Sequence, residues 1–163
     1  MANRKSQGQW KIGDVFVIPT DDGHFVLSQI VGREASVLNS VSVALFDYRL
    51  DSVSAATNAS TIDSMNMNAI FSVLFTTRDL LDSGSWKVVG HRDLVLPKGL
   101  QPYEPLRKSG FVGAKVIGSG IVNRFVNAFY ALSPWDNWKD PAYLDHLLIS
   151  PSKKPIKLVY KGL

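Results

Sequence analysis

The stretch from Lys11 to Gly32, KIGDVFVIPTDDGHFVLSQIVG, constrains the fold more than any other part of the chain. It holds two apolar runs, Asp14 to Pro19 and His24 to Val31, separated by Asp22-Gly23. An Asp-Gly pair accepts the positive backbone angles of a type I′ turn, whose twist suits two antiparallel strands. A β-hairpin is therefore expected, led in by Trp10 and Gly13.

A third strand is expected near Ser36 to Tyr48, where Val41, Val43 and Leu45 alternate with Ser40, Ser42 and Ala44. A period of two is that of a half-buried strand. The stretch from Asp51 to Asn68 is rich in Ser, Ala, Asn and Thr and reads equally as a loop or as a weakly marked helix. Alternation returns in Ala69 to Thr76 through Phe71, Val73 and Phe75. A short helix should follow, with Thr76 and Asp79 as a cap pair and Gly84 as its stop. Trp86 to His91 reads as another strand.

The second half is punctuated by Pro97, Pro102 and Pro105, which mark an irregular connector from Pro97 to Lys108. Phe111 to Ile117 reads as a strand. From Ile121 to Leu132 the period becomes helical: Val122, Phe125, Val126 and Phe129 share one face, opposite Asn123, Arg124 and Asn127. A second helix is expected after Asp140 as N-cap and Pro141 as first residue, with Tyr143, Leu144, Leu147 and Leu148 as its stripe and Pro151 as its end. Ile156 to Tyr160 reads as a last strand. Strands first and helices later indicate an α+β fold. The expected architecture is a small twisted antiparallel sheet, SH3-like or a partly open barrel, with two C-terminal helices packed on one side.

With 163 residues, 45% of them hydrophobic, the chain is expected to form one domain over 1–163 with a core that needs no covalent staple. The absence of cysteine excludes a disulfide framework, a thiolate metal site and a thiol nucleophile, and suits a reducing cytoplasm. The N-terminal MANRKSQGQWK has basic residues but no apolar stretch behind them, so neither a signal peptide nor a membrane span is expected. The net charge is +4 and the pI about 9.4. Lys153, Lys154, Lys157 and Lys161 crowd the C-terminal end, either as a patch for an acidic partner or nucleic acid or as a solvated tail.

His24, His91 and His146 are widely spaced and form no His-x-x-x-His pair, so no metal site is expected. No nucleophile elbow occurs. Gly118-Ser119-Gly120 precedes a helix, where backbone N–H groups can cradle phosphate, but the lysine and hydroxyl of a phosphate loop are missing. Asp21 and Asp22 are explained by the turn and Asp140 by its cap; Asp136 has no such explanation. The segment from Leu132 to Leu148 combines Trp135, Trp138 and Tyr143 with Asp136, Asn137 and Asp140. Such aromatics either anchor an interface or lock a loop onto the sheet.

Several of these residues resemble a known pattern. Trp10, Gly13, Asp14, Val15, Phe16, Ile18, Pro19, Asp22, Gly23 and Phe25 are similar to the opening of the immunity protein 26 family of bacterial polymorphic toxin, or contact-dependent inhibition, systems. Phe71 to Phe75, Leu80, Leu81, Gly84, Trp86, Val88, Val89 and Gly90 resemble its later strand, helix and Gly-x-Trp-x-Val-x-Gly turn. The Trp135-Asp136 … Asp140-Pro141 segment also fits. The likeness is good over Trp10 to Gly32 and looser as far as Leu148; Ser28 stands near a position where the family has glycine. The resemblance implies a cytoplasmic antidote that binds the C-terminal domain of a cognate toxin protein stoichiometrically, with no catalysis and no cofactor; a monomer is expected. The toxin-interface candidates are Trp135, Asp136, Trp138 and Asp140 for a basic toxin cleft, and Lys153, Lys154 and Lys157 for an acidic one. Two other classes stay open. One is a small basic nucleic-acid-binding module, which would show exposed aromatics and arginines on the sheet. The other is an enzyme in which two of Asp136, His91 and His146 converge in a cleft.

Overall fold

The computed structural model describes residues 10–34, 39–101, 104–110 and 114–161. Among them, six strands form one open sheet: β1 (Asp14–Pro19), β2 (Phe25–Glu34), β3 (Ser40–Leu50), β4 (Ile70–Thr76), β5 (Lys87–His91) and β6 (Val116–Ile117). Their order is β5-β1-β2-β3-β4-β6, antiparallel except for the β4–β6 pair. The expected neighbours β1, β2 and β3 are adjacent and antiparallel. The sheet does not close, so the barrel-like expectation is corrected: among the described residues β5 and β6 are its two edges.

The first hairpin forms with different turn chemistry from that expected. Gly23 N–H donates to Thr20 O at 3.1 Å, and Thr20 N–H to His24 O at 2.8 Å. Gly23 has φ +81°, while Asp22 is not among the residues with positive φ. This is a type I turn followed by one left-handed glycine, the usual three-residue hairpin loop. Before it, Gly13 has φ +98°, and a Cβ there would lie 2.6 Å from the His91 ring. Glycine is thus required where β1 begins beside the end of β5.

The helices are short. α1 (Val53–Thr57) and α2 (Ala59–Asp63) occupy the ambiguous Ser/Asn-rich stretch, each started by a side-chain cap, from Ser52 and Asn58. α3 (Asp79–Ser83) stops at Gly84, φ +84°, as expected. Its expected cap pair does not form: Thr76 is a buried strand residue, and Thr77 Oγ1 donates to Asp79 instead, at 2.7 Å. The connector from Pro97 holds a 3-10 turn, Lys98–Leu100, and α4 (Glu104–Lys108). α5 (Ser119–Phe129) spans 11 residues, whereas each other α-helix described has five.

The second expected C-terminal helix is not an α-helix. Asp140 Oδ1 does accept Ala142 N–H at 2.9 Å, but only a 3-10 turn, Leu144–Leu147, follows. Bonds to the sheet hold this segment away from helical geometry. Ser72 Oγ donates to Leu147 O at 2.5 Å, and Ile149 N–H donates to Phe71 O at 2.8 Å. The last expected strand is reduced to a single bridge between Pro134 and Val159. Of the strand expected over Phe111 to Ile117, residues 111–113 lie outside the described residues, as do 35–38 and the basic N-terminal residues.

The sheet is buried on both faces, which corrects the one-sided packing. On one face Phe16, Ile18, Ile30, Val43, Leu45 and Phe71 meet Val122, Phe125, Val126 and Phe129 of α5, then Trp135 and Leu144. On the other, Val15, Val17, Leu27, Ala44 and Phe46 meet Ala56 of α1, Ile62 of α2, Met65, Val95 and Leu96. At Leu45/Phe46 the β3–β4 register slips by one residue, a bulge that lets Phe71 join the α5 layer. There its ring stacks on Phe129, with centroids 3.8 Å apart.

Candidate functional site

After α5 the chain turns through Ala131, a non-glycine residue with φ +61°, and residues 132–161 run back along the sheet. All seven expected interface residues lie on this return, and it separates them. Trp135 is 1% exposed. Its ring packs 6.0 Å from Phe125, its indole N–H donates to Asp145 at 3.1 Å, and its backbone N–H donates to Val159 O at 2.7 Å. Of the two readings open for these aromatics, Trp135 takes the loop-locking one, because it belongs to the core. Asp136 accepts Lys161 N–H at 2.6 Å, which gives it the structural duty that sequence reading could not supply. Together Trp135 and Asp136 brace the C-terminal segment 159–161.

Trp138 is half-buried beneath the Arg124 guanidinium, 3.8 Å from its ring, and beside Tyr143. Its indole N–H has no hydrogen-bond partner among the described residues. Asp140 lies 3.8 Å from His146 on the rim of a groove of about 520 Å³ between the β4–β6 edge and residues 143–149. Lys154 pairs with Asp145 at 2.9 Å. In Asp145 burial pushes the carboxyl up, but hydrogen bonds from Lys154 and Trp135, with the Lys154 charge, hold it below the usual carboxylate range.

Lys153 and Lys157 line a different cavity, of about 350 Å³, with Asp47, Phe129, Tyr130, Ala131 and Pro155. Tyr130 hydroxyl donates to Asp47 at 2.6 Å, and the Arg49 guanidinium lies 5.2 Å from the Tyr130 ring. Burial, then the bond to Asp47 and its charge, push the Tyr130 phenol far above its ordinary pKa, so it stays a neutral donor. Asp47 and Tyr130 were not singled out from the sequence. The available signal was Asp47 itself, an exposed charge in a strand whose preceding residues are all buried.

The arrangement does not assemble a catalytic cleft from the expected groups. His91 Nδ1 is 2.9 Å from Asp14, His146 faces Asp140, and Asp136 holds the Lys161 amide. Among the described residues no three His, Asp or Glu side chains group in a way that could hold a metal ion. The glycine-flanked start of α5 is filled from within. Ser119 N–H donates to Thr77 Oγ1 at 3.0 Å, and Ser119 Oγ donates to both Asp79 oxygens, at 2.8 and 2.9 Å. A carboxylate thus stands where a phosphate would bind, held below its usual pKa range first by the Thr77 hydrogen bond. Nor does the sheet present a stacking platform, since both faces are packed against other elements.

A family model described as immunity protein 26 matches residues 11–104. That is more than half of the chain, covering β1 to β5 and the layer over the second sheet face. The Trp135 to Pro141 segment lies beyond the match. No curated protein and no solved structure matches the chain. No helix among the described residues is long and apolar enough to cross a membrane.

Proposed function

This chain belongs to the immunity protein 26 family, and from that premise we propose that it is the cytoplasmic antidote of one cognate toxin domain. It holds that domain in a one-to-one complex and has no turnover of its own. The family match carries the reading. An immunity protein neutralises a toxin; stoichiometric occlusion, the bacterial cytoplasm and a monomeric, single-domain antidote are the finer parts of the proposal. What supports occlusion is a scaffold with a core on each sheet face, able to present a surface at little ordering cost. The contact region is placed on the return segment, with Trp138, Asp140, Lys153, Lys154 and Lys157 as contact candidates and Trp135 and Asp136 as their support.

An antidote must hold its toxin at low cellular concentration, which calls for nanomolar affinity or better, about −12 kcal/mol. The test is co-purification with the C-terminal domain encoded by the adjacent toxin gene, then protection of cells expressing that domain. The expected result is a stable one-to-one complex and survival. A folded protein that neither binds nor protects would remove the antidote reading.

A further inference from the structure

We propose that the contact is made by the basic C-terminal segment 153–161 and the cavity beside Tyr130, and that the toxin surface meeting them is acidic and inserts one apolar side chain. This rests on the antidote reading and deepens it by assigning the face and the partner's chemistry.

Three observations converge on the segment. First, its apolar side chains face water: Ile156 is fully exposed, Tyr160 is 53% exposed and Val159 42%. Three large apolar groups exposed within five residues of a charged segment are a local concentration, unlike the single scattered exposures that need no explanation. Second, the positive charge is unspent. Lys154 is paired with Asp145, but Lys153, Lys157 and Lys161 have no carboxylate partner among the described residues, and Lys153 Nζ donates only to the Asn68 carbonyl. Third, the segment is fixed in place. Trp135 N–H holds Val159 O, Asp136 holds the Lys161 amide, and the Lys153 and Lys154 side chains tie down its start. A solvated tail would need none of these ties, whereas a docking segment gains by being ordered before its partner arrives.

The cavity supplies the anchor point. Phe129, Tyr130 and Pro155 give it apolar walls, and Lys153 and Lys157 stand on its lining with a single carboxylate, Asp47, already accepting from Tyr130. Its volume of about 350 Å³ suits one aromatic or large aliphatic side chain. Carboxylates flanking that side chain would meet the lysines. A nucleic-acid-cleaving cleft, which must itself be basic to hold phosphates, would be repelled by this face. The toxin surface contacted is therefore an acidic one.

Isothermal titration of the folded chain against the adjacent gene's toxin domain tests this, at salt concentrations of about 50 and about 300 mM. Lys157→Glu with Lys161→Glu should weaken binding about 100-fold, and the wild-type affinity should fall about tenfold over that salt range. Ile156→Ala with Tyr160→Ala should weaken it about tenfold or more. Lys87→Gln, on β5 at the other edge of the sheet, should leave it within about threefold. All five positions are exposed, so unchanged thermal melting is expected and verifies the fold. Toxin binding that survives the double charge reversal overturns the assignment of the face while the antidote reading stands. Wild type that does not bind at all overturns that reading and this one with it. A labelled single-stranded RNA that binds wild type and is lost in the charge reversal, with toxin binding untouched, would assign the face to nucleic acid and overturn the proposal.

Discussion

Gln29 is a buried amide in the middle of β2 that ties the sheet to its covering layer. Its Nε2 group lies 3.0–3.2 Å from the carbonyls of Gly13, Arg92 and Asp93, and its Oε1 accepts Val95 N–H at 3.0 Å. Gln29→Met keeps the length and removes the polarity, leaving the buried Val95 N–H without an acceptor. The expected loss is about 1–3 kcal/mol in urea unfolding, and a loss within error would show that the loop re-pairs without it. The Asp145–Lys154 pair makes a smaller, pH-dependent contribution. The Asp145 carboxyl is held low, so it stabilises above its unfolded value of about 3.9 and loses that effect as pH falls through the depressed value. The Lys154 ammonium is raised chiefly by the same hydrogen bond, so it stabilises below about 10.4 and loses the effect as pH rises through the raised value. The pair therefore acts between about pH 4 and pH 10. Its side chains are 34% and 37% exposed, so solvent screens it to about 1 kcal/mol or less. Lys154→Met should lower stability slightly at neutral pH and leave it unchanged near pH 2, which denaturation at the two pH values would show. At this scale the sequence was least informative. Nothing in the residues around Trp135 tells a core indole from a surface anchor, because Phe125 and Asp145, which decide it, arrive only through the fold.

Elements were more legible, to the extent that local chemistry determined them. The alternation of Val41, Val43 and Leu45 and the Asp22-Gly23 turn correctly indicated β1 to β3, since hairpin pairing is local. The same alternation concealed the second covered face. Ser40, Ser42 and Ala44 are all buried, and small residues read alike whether they face water or pack beneath another layer. That layer is built from Ala56, Ile62 and Met65, set in a stretch too polar to announce a helix. α5 was legible because its apolar stripe spans three turns, and its central residue carries the packing. Phe125 is fully buried, 5.7 Å from the Phe71 ring and 6.0 Å from Trp135. Phe125→Ala should destabilise the protein by about 3–5 kcal/mol; a measured loss below about 1 kcal/mol would contradict this packing. The segment after Asp140 shows the limit of local signals. Its cap forms as the sequence indicates, yet the bonds from Ser72 and Ile149 to and from β4 favour an edge-hugging 3-10 turn over a free helix.

For the whole molecule, the stretch shared with the family and the cooperative unit have different limits. The match ends at residue 104, but one face of the sheet it covers is roofed largely by residues that come later, beside Leu81 and Trp86. Phe16, Ile18, Ile30, Val43, Leu45 and Phe71 lose α5, Trp135 and Leu144 from their face if the chain stops there, and Phe16 keeps only its stack on Trp86. Burial of such side chains contributes about 1.5–3 kcal/mol each. Losing even half of that over six of them, about 6 kcal/mol, equals the whole net stability of many domains, about 5–15 kcal/mol. Polar ties go as well: Trp86 Nε1 loses Asn123 at 2.9 Å, and Asp21 N–H loses Asn127 at 2.9 Å. A chain ending at residue 104 should therefore bind a hydrophobic dye and melt without a cooperative transition. The 163-residue chain should unfold in one step, with secondary-structure and tryptophan signals coinciding. A truncated chain that unfolds cooperatively would mean that the first sheet layer stands alone and that α5 with the return segment is an added unit. If the truncation collapses as expected, the segment carrying the lysines of the docking face is held by the same core that stabilises the sheet. A destabilised core should then weaken toxin binding even when no contact residue has been changed.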